Sequence, residues 1–145
     1  MDLLRFIAAL FSPSARPNSA SSDPRHRLGI RGEKLAEKFL RRSGYKVLYR
    51  NYRPKGGGEV DLVCRDGNVL AFIEVKTRSS LEFGRPAEAV TDEKRELIAR
   101  GARAWMRLLD DPDVVFRFDV VEVIAGEGKP EFTLHKAAFV PRNTR

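Results

Sequence analysis

The chain has 145 residues, a formal net charge of +7 and an isoelectric point of about 9.9. This length suits one domain with a buried core, and no segment is apolar enough over a membrane-spanning length, so we expect no membrane partner. A single cysteine, Cys64, excludes an intrachain disulfide, and two isolated histidines do not make a zinc motif.

The positive charge is concentrated in the first half of the chain. Residues 25–55 contain eleven Lys and Arg against two Glu, whereas residues 110–131 contain two basic and seven acidic residues. A concentrated basic segment favours a polyanionic partner such as nucleic acid, although a solubilising surface has the same composition.

Residues 1–26 are predicted to form a short amino-terminal helix and a disordered linker ahead of a domain spanning 27–145. Four apolar residues share one face of that helix: Leu3, Phe6, Ile7 and Leu10. Such a helix either docks on a protein partner or is a frayed terminus. The stretch lacks a basic region before it and contains Arg5, unlike a secretory signal, so we expect a cytoplasmic protein.

The next elements are a helix over residues 32–43, a strand over 45–49 and a basic, glycine-rich loop over 50–58. Glu33 flanks the apolar face of the helix and either points toward the sheet or is placed by the helix dipole. Glu37 is expected to pair with Arg41 at i, i+4. Loops of this kind often contact phosphates, and the simpler alternative is a plain turn.

A hairpin over residues 59–76 carries the strongest signal. Both arms alternate in polarity, which predicts half-buried strands. Asp66-Gly67 is a favoured two-residue turn, which would place Glu59 opposite Glu74 and Asp61 diagonal to it. One face is then apolar, and the other carries Glu59, Asp61, Glu74 and Lys76. Facing carboxylates need counter-charge, which Lys76 and a hard cation such as Mg²⁺ can supply. The alternative is a solvated charge pair on an exposed strand.

The remaining pattern predicts a helix from the Thr91 cap to about Asp110, and strands over residues 114–124 and 131–136. Four basic residues lie elsewhere on this helix: Lys94, Arg95, Arg100 and Arg103. Some of them are expected to touch backbone phosphates and more to be solvated, and Asp119 is expected to be structural. The order is helix, three strands, helix and two strands.

Several of these segments together resemble the YraN-like family of small bacterial proteins, over about residues 28–140. The resemblance rests on Gly32-Glu33 with Ala36, Arg50-Asn51-Tyr52-Arg53, Gly58-Glu59-Val60-Asp61-Leu62-Val63, Phe72-Ile73-Glu74-Val75-Lys76-Thr77-Arg78, Phe83-Gly84-Arg85-Pro86 and Arg117-Phe118-Asp119-Val120-Val121. The family looks like a branch of the restriction-endonuclease-like, PD-(D/E)XK, nuclease superfamily. Val60 stands where the superfamily motif has proline.

This resemblance implies an α/β fold in which a central mixed β-sheet is flanked by helices. It also implies phosphodiester hydrolysis that depends on Mg²⁺ or Mn²⁺. By position, Asp61, Glu74 and the Val75 carbonyl would be metal ligands, and Lys76 would act on the attacking water. Glu33 would match the helix glutamate of the branch that includes archaeal Holliday-junction resolvases.

We therefore expect a structure-directed DNA endonuclease with little sequence specificity. Four basic residues are expected to hold the nucleic-acid backbone: Arg50, Arg53, Lys55 and Arg78. A homodimer is compatible with the resemblance, although no interface is readable in the sequence. One alternative is a non-catalytic nucleic-acid-binding or adaptor protein on the same fold, and another is an interaction protein whose acidic face is merely solvated.

Overall fold

The computed structural model describes residues 23–80 and 90–141, and within them the helices and strands follow the predicted order. The elements are α1 (Pro24–Arg42), β1 (Lys46–Tyr52), β2 (Val60–Asp66), β3 (Val69–Arg78), α2 (Asp92–Leu109), β4 (Val115–Ile124) and β5 (Glu131–His135). Residues 1–22 of the predicted amino-terminal helix and linker lie outside the described residues, as does the Phe83-Gly84-Arg85-Pro86 motif, whereas residues 24–26 of that linker belong to α1. No helix in the described ranges is long and apolar enough to cross a bilayer.

The strands form one mixed sheet in the order β1-β2-β3-β4-β5. The β3–β4 pair is parallel and the other neighbours are antiparallel. Helix α1 buries Ala36 and Leu40 against one face of the sheet, and α2 buries Ile98 and Trp105 against the other. A mixed α/β fold with a central sheet flanked by helices is therefore confirmed.

The hairpin of β2 and β3 is buried on both faces, and the prediction of half-buried strands was wrong. Leu62 and Cys64 pack in the α1 cluster, while Val63 and Phe72 pack in the α2 cluster. The physical reason is the parallel connection from β3 to β4, because its crossover helix α2 covers the face that the alternation left for solvent. Val60, predicted on the side of Leu62, joins the α2 cluster.

The hairpin turn is Gly67-Asn68 rather than the predicted Asp66-Gly67, because Asp66 pairs with Val69. Gly67 has a φ of 60°, whereas Asn68 is not among the positive-φ residues, a combination that matches a type II′ turn. Asp66 remains in the strand because its carboxylate accepts hydrogen bonds from Arg117 at 2.7 Å and Lys136 at 3.2 Å.

This register differs from the prediction by two residues, so the side chains from Asp61 onward keep their predicted face but change their partners. Leu62 pairs with Ile73. The next position along the ladder therefore brings Asp61, and not Glu59, across from Glu74. The shift moves two of the predicted metal ligands closer together than the sequence indicated.

The helix ends were predicted unequally well. Helix α1 begins at Pro24, eight residues before the predicted start, because the Asp23 carboxylate accepts the Arg25 N–H at 3.0 Å and caps a new first turn. The prediction for α2 is confirmed: the Thr91 side chain accepts the Lys94 N–H at 3.2 Å, and Asp110 ends the helix with a φ of 50°.

Candidate active site

Asp61 and Glu74 meet at the end of the hairpin that lies away from its turn. Asp61 Oδ2 accepts a hydrogen bond of 2.9 Å from the N–H of Val75, so the carboxylate of β2 lies against the backbone of β3. The Glu74 side chain is 4% exposed. The same contact brings Val75, the third predicted ligand, beside Asp61 through its backbone.

The Glu74 carboxylate is buried and incompletely satisfied. Its Oε1 lies 3.4 Å from Lys76 Nζ and 3.7 Å from Lys94 Nζ, whereas its Oε2 is buried and accepts no hydrogen bond from the described residues. Burial first, and then the negative charge of Asp61, raise the pKa of Glu74 to about 8. A side-chain hydrogen bond with Asp61 is open to Glu74 when Glu74 is protonated, and that bond also raises its pKa. Even with two ammonium groups nearby, the ionised form of Glu74 therefore lacks enough stabilising partners.

Glu33 reaches this site from α1 because the helix backbone packs directly on β3. A Cβ added to Gly32 would lie 1.8 Å from Thr77 Oγ1, so only glycine allows this approach. The next residue, Glu33, is placed near Asp61. Burial first, and then Asp61, raise the pKa of Glu33 to about 7.

Asn51 is a site residue that the sequence analysis missed. It has a φ of 52° within β1, and its side chain hydrogen-bonds Glu33, which lowers the pKa of that carboxyl. Asparagine is one of the few residues that enter the left-handed region readily. Its place in the Arg50-Asn51-Tyr52-Arg53 motif was visible in the sequence, but the predicted loop position gave no sign that Asn51 lies in β1 and contacts α1.

Lys94 was also missed, and it enters the site from the first turn of α2. Its Nζ pairs with Glu59 Oε1 and lies 3.7 Å from Glu74 Oε1. A signal was available, because Lys94 lies one turn before Ile98, which is fully buried on the face of α2 that packs against the sheet. Periodicity should have placed Lys94 beside the sheet rather than in solvent.

The glycine-rich loop holds α2 close to β2. A Cβ on Gly58, which has a φ of 103°, would lie 2.4 Å from the backbone nitrogen of Gly101. The N–H of Glu59 donates to the carbonyl of Leu97 at 3.0 Å. The loop contains a turn, in which the Gly57 N–H donates to the Pro54 carbonyl at 3.1 Å. It is also a packing element that aligns Glu59 and Lys94 with the carboxylates.

The four predicted backbone-binding residues occupy different surroundings. Arg50 donates to both carboxylate oxygens of Glu37 at 2.5 and 2.6 Å, which holds the pKa of Glu37 below its usual value. The predicted pair of Glu37 with Arg41 is present as well, at 2.8 Å.

Arg53 and Lys55 are exposed in the loop, and the positive charge of Arg53 lowers the pKa of both Glu33 and Glu59. Arg78 lies at the end of β3, where its carbonyl accepts the N–H of Ala125 at 2.8 Å. Arg53 is therefore beside the carboxylates, whereas Arg50 is engaged by α1.

The donor set fits a hard cation that keeps part of its water shell. In the described part of the chain, no group of three or more His, Cys, Asp or Glu side chains is arranged as a metal cage. Asp61 and Glu74 instead offer two adjacent carboxylates, one with an unpartnered buried oxygen. Mg²⁺ is commonly held by one or two carboxylates together with water and substrate phosphates.

Comparison with known proteins places this site within a recognised family segment. The model of "Uncharacterised protein family UPF0102" matches residues 32–123, a range that includes Glu33, Asp61, Glu74, Lys76 and Lys94. A UPF0102 protein of Chlorobaculum parvum is 50% identical over 99 residues, which are 68% of this chain and 76% of the relative. One from Nocardia farcinica is 48% identical over 113 residues, 77% of this chain and 88% of the relative.

Proposed function

The chain belongs to the uncharacterised protein family UPF0102, the YraN-like family, and we propose that it is a Mg²⁺-dependent endonuclease that hydrolyses phosphodiester bonds of DNA. We propose with it that the sheet and its two described helices form a restriction-endonuclease-like core. The proposal concerns a site that is built from β2, β3, α1 and α2 and lies at one end of the sheet.

The observation that carries the proposal is the state of Glu74. A buried carboxylate with an unpartnered oxygen, next to a second carboxylate, costs free energy that a purely structural residue would not retain. A divalent cation removes this cost by supplying positive charge at the oxygen that the protein leaves without a donor. The close approach of Lys76 is the further feature expected of a hydrolytic site.

In the proposed mechanism Asp61, Glu74 and the Val75 backbone carbonyl would hold the cation. When bound, Mg²⁺ supplies polarisation of the scissile phosphate and a water of lowered pKa. Lys76 orients the attacking water and stabilises the negative charge that develops on the phosphate. Glu33, held by Asn51, adds a third carboxylate beside Asp61.

DNA is the proposed substrate because positive side chains surround the carboxylates. Arg53 approaches from the loop and Lys94 from α2, and Arg100 lies against the glycine loop, 3.2 Å from where a Gly57 Cβ would be. A basic rim around an acidic centre suits a phosphodiester bridged to a cation. Neither helix of the described ranges is evidently a base-reading helix, so we propose recognition of DNA structure rather than sequence.

The test is cleavage of labelled single-stranded, duplex, flap and four-way-junction DNA with Mg²⁺ or Mn²⁺. We expect Lys76→Ala to lower the cleavage rate about 10²- to 10⁴-fold, the range typical of a positioned acid–base group, and Glu74→Ala to abolish metal-dependent cleavage. Lys46→Ala and Glu131→Ala are matched controls, because both residues are exposed. Cleavage that survives in both site variants would contradict the proposal.

The second candidate is a non-catalytic nucleic-acid-binding or adaptor protein. The absence of a three-ligand metal cage in the described ranges favours it, as does the pairing of Glu74 with two lysines of the chain itself. Wild type and Glu74→Ala would then bind DNA equally and cleave none of the four substrates.

A further inference from the structure

We propose that Lys94 is a DNA-contacting residue that donates to a phosphate oxygen beside the carboxylates, on the side of the site formed by α2. The inference rests on the proposed function and deepens it, because it assigns a substrate contact to a residue on a different element from Lys76. It makes the first turn of α2 part of the substrate-binding surface.

The position of Lys94 is set by contacts on three sides. Its backbone N–H is held by the Thr91 cap at 3.2 Å, and its Nζ pairs with Glu59 and lies 3.7 Å from Glu74 Oε1. Glu59 is itself tied to α2, because its N–H donates to the Leu97 carbonyl at 3.0 Å. The ammonium group is thus held at the site before any substrate arrives.

These contacts leave Lys94 with hydrogen-bonding capacity. An ammonium group has three donors. Glu59 accepts one, and Glu74 at 3.7 Å is beyond ordinary hydrogen-bond distance. The Lys94 side chain is 24% exposed, so part of it is open to solvent and to an approaching ligand. A phosphate oxygen can therefore approach Nζ without displacing Glu59.

Lys94 is an ion-pair partner of Glu59, and the charges around it do not make it the counter-ion that Glu74 lacks. Lys76 Nζ lies 3.4 Å from the same Glu74 oxygen, so Glu74 already has one ammonium partner. The Oε2 atom, which has no hydrogen-bond partner among the described residues, is not the atom that Lys94 approaches. A lysine placed as the counter-ion of Glu74 would be expected to approach Oε2, the oxygen that lacks a donor.

The test measures DNA binding in EDTA, where cleavage does not interfere, as a function of salt. Each phosphate contact contributes about 0.9 to the slope of log K against log salt for duplex DNA. We expect Lys94→Met to lower the magnitude of the slope by about 1, and Lys94→Arg to preserve it. Lys94→Gln, which retains a donor for Glu59, is expected to lower the slope as Met does and covers the case in which Met impairs folding.

Lys46→Met is the matched control, because Lys46 is exposed and pairs with Arg65, at the end of the sheet opposite to Asp61. It should leave the slope unchanged. Equal slopes for wild type, Lys94→Met and Lys94→Gln would overturn the role of Lys94, whether or not the enzyme cleaves DNA. Binding without cleavage, but with the lowered slope, would overturn the endonuclease proposal alone. Failure of wild type to bind DNA would overturn both.

Discussion

The sheet buries two carboxylates, Asp119 and Glu74, and treats them in opposite ways. Asp119 pairs with Ile73, next to Glu74, but it lies on the α1 face of the sheet and belongs to a network that extends to the hairpin-turn end. It is fully buried and accepts hydrogen bonds from Arg117 at 2.9 Å, Tyr45 at 3.2 Å and the Ala137 N–H at 2.9 Å. Glu74, toward the other end, is 3% exposed and keeps one oxygen without a donor. The chain can supply donors to a buried acid, so their shortage at Glu74 points to a ligand.

The network around Asp119 extends to neighbouring elements and is satisfied throughout. Arg117 also donates to Tyr45 at 2.7 Å and to Asp66 at 2.7 Å, which holds the pKa of Asp66 below its usual value. These bonds join β1, β2 and β4. The predicted structural role of Asp119 agrees with this arrangement. The two ends of the sheet should therefore respond differently to substitution.

The largest effect on stability is expected from Asp119→Ala. It leaves the Arg117 guanidinium and the Tyr45 hydroxyl without their buried acceptor, and loss of one partner of a buried ion pair costs about 3–5 kcal/mol. Urea unfolding measures this cost. Asp113→Ala, at an exposed position, is the control and should change the free energy of unfolding by less than about 0.5 kcal/mol. A small effect of Asp119→Ala would remove the contrast between the two ends.

Gly58→Ala should be the next most destabilising change, and it should perturb the end of the sheet that carries the candidate active site. The added Cβ meets the Gly101 backbone, and a φ of 103° is unfavourable for alanine. Strain of this kind costs about 1–3 kcal/mol. Gly56→Ala is the matched control, since nothing lies within 4 Å of its Cβ position. Equal unfolding free energies for the two variants would show that the loop does not need close contact with α2.

In EDTA, the free energy of unfolding should also depend on pH because of the two acids at the site end of the sheet, Glu74 and Glu33. The folded pKa values of Glu74, about 8, and Glu33, about 7, exceed the ordinary value of 4.5. The unfolded chain therefore loses these protons first, and their stabilising contribution, complete below pH 4.5, is lost as pH rises through 7 and 8. Urea unfolding from pH 5 to 8 should show a steeper decline for wild type than for Glu74→Gln. Parallel curves would contradict the raised pKa of Glu74.

The smallest effect on stability is expected from Glu74→Gln at pH 7 in EDTA. Glutamine resembles the neutral acid that a pKa of about 8 favours, so the free energy of unfolding should change by less than about 1 kcal/mol. Binding of Mn²⁺, followed by calorimetry, should be weakened at the same time. A loss of stability as large as that of Asp119→Ala would mean that Glu74 is structural.

The sequence predicted the elements because their signals are local. Alternation placed Asp61, Glu74 and Lys76 on one face, and a two-residue error in register could not change that, because side chains repeat every two residues along a strand. The Thr91 cap and the helical period of the apolar residues were likewise sufficient to predict α2. Membership of the UPF0102 family, indicated by motifs spread over the domain, was confirmed by its relatives.

Tertiary structure decided what depends on residues distant in the chain. The partners of Asp66 selected the turn, α1 engaged Arg50 through Glu37, and α2 brought Lys94 to Glu74 across 20 positions of sequence. Two glycine contacts, Gly32 on Thr77 and Gly58 on Gly101, hold the helices close enough for this to occur. Local patterns establish which face a side chain occupies, whereas its neighbours across that face are determined by how the helices pack on the sheet.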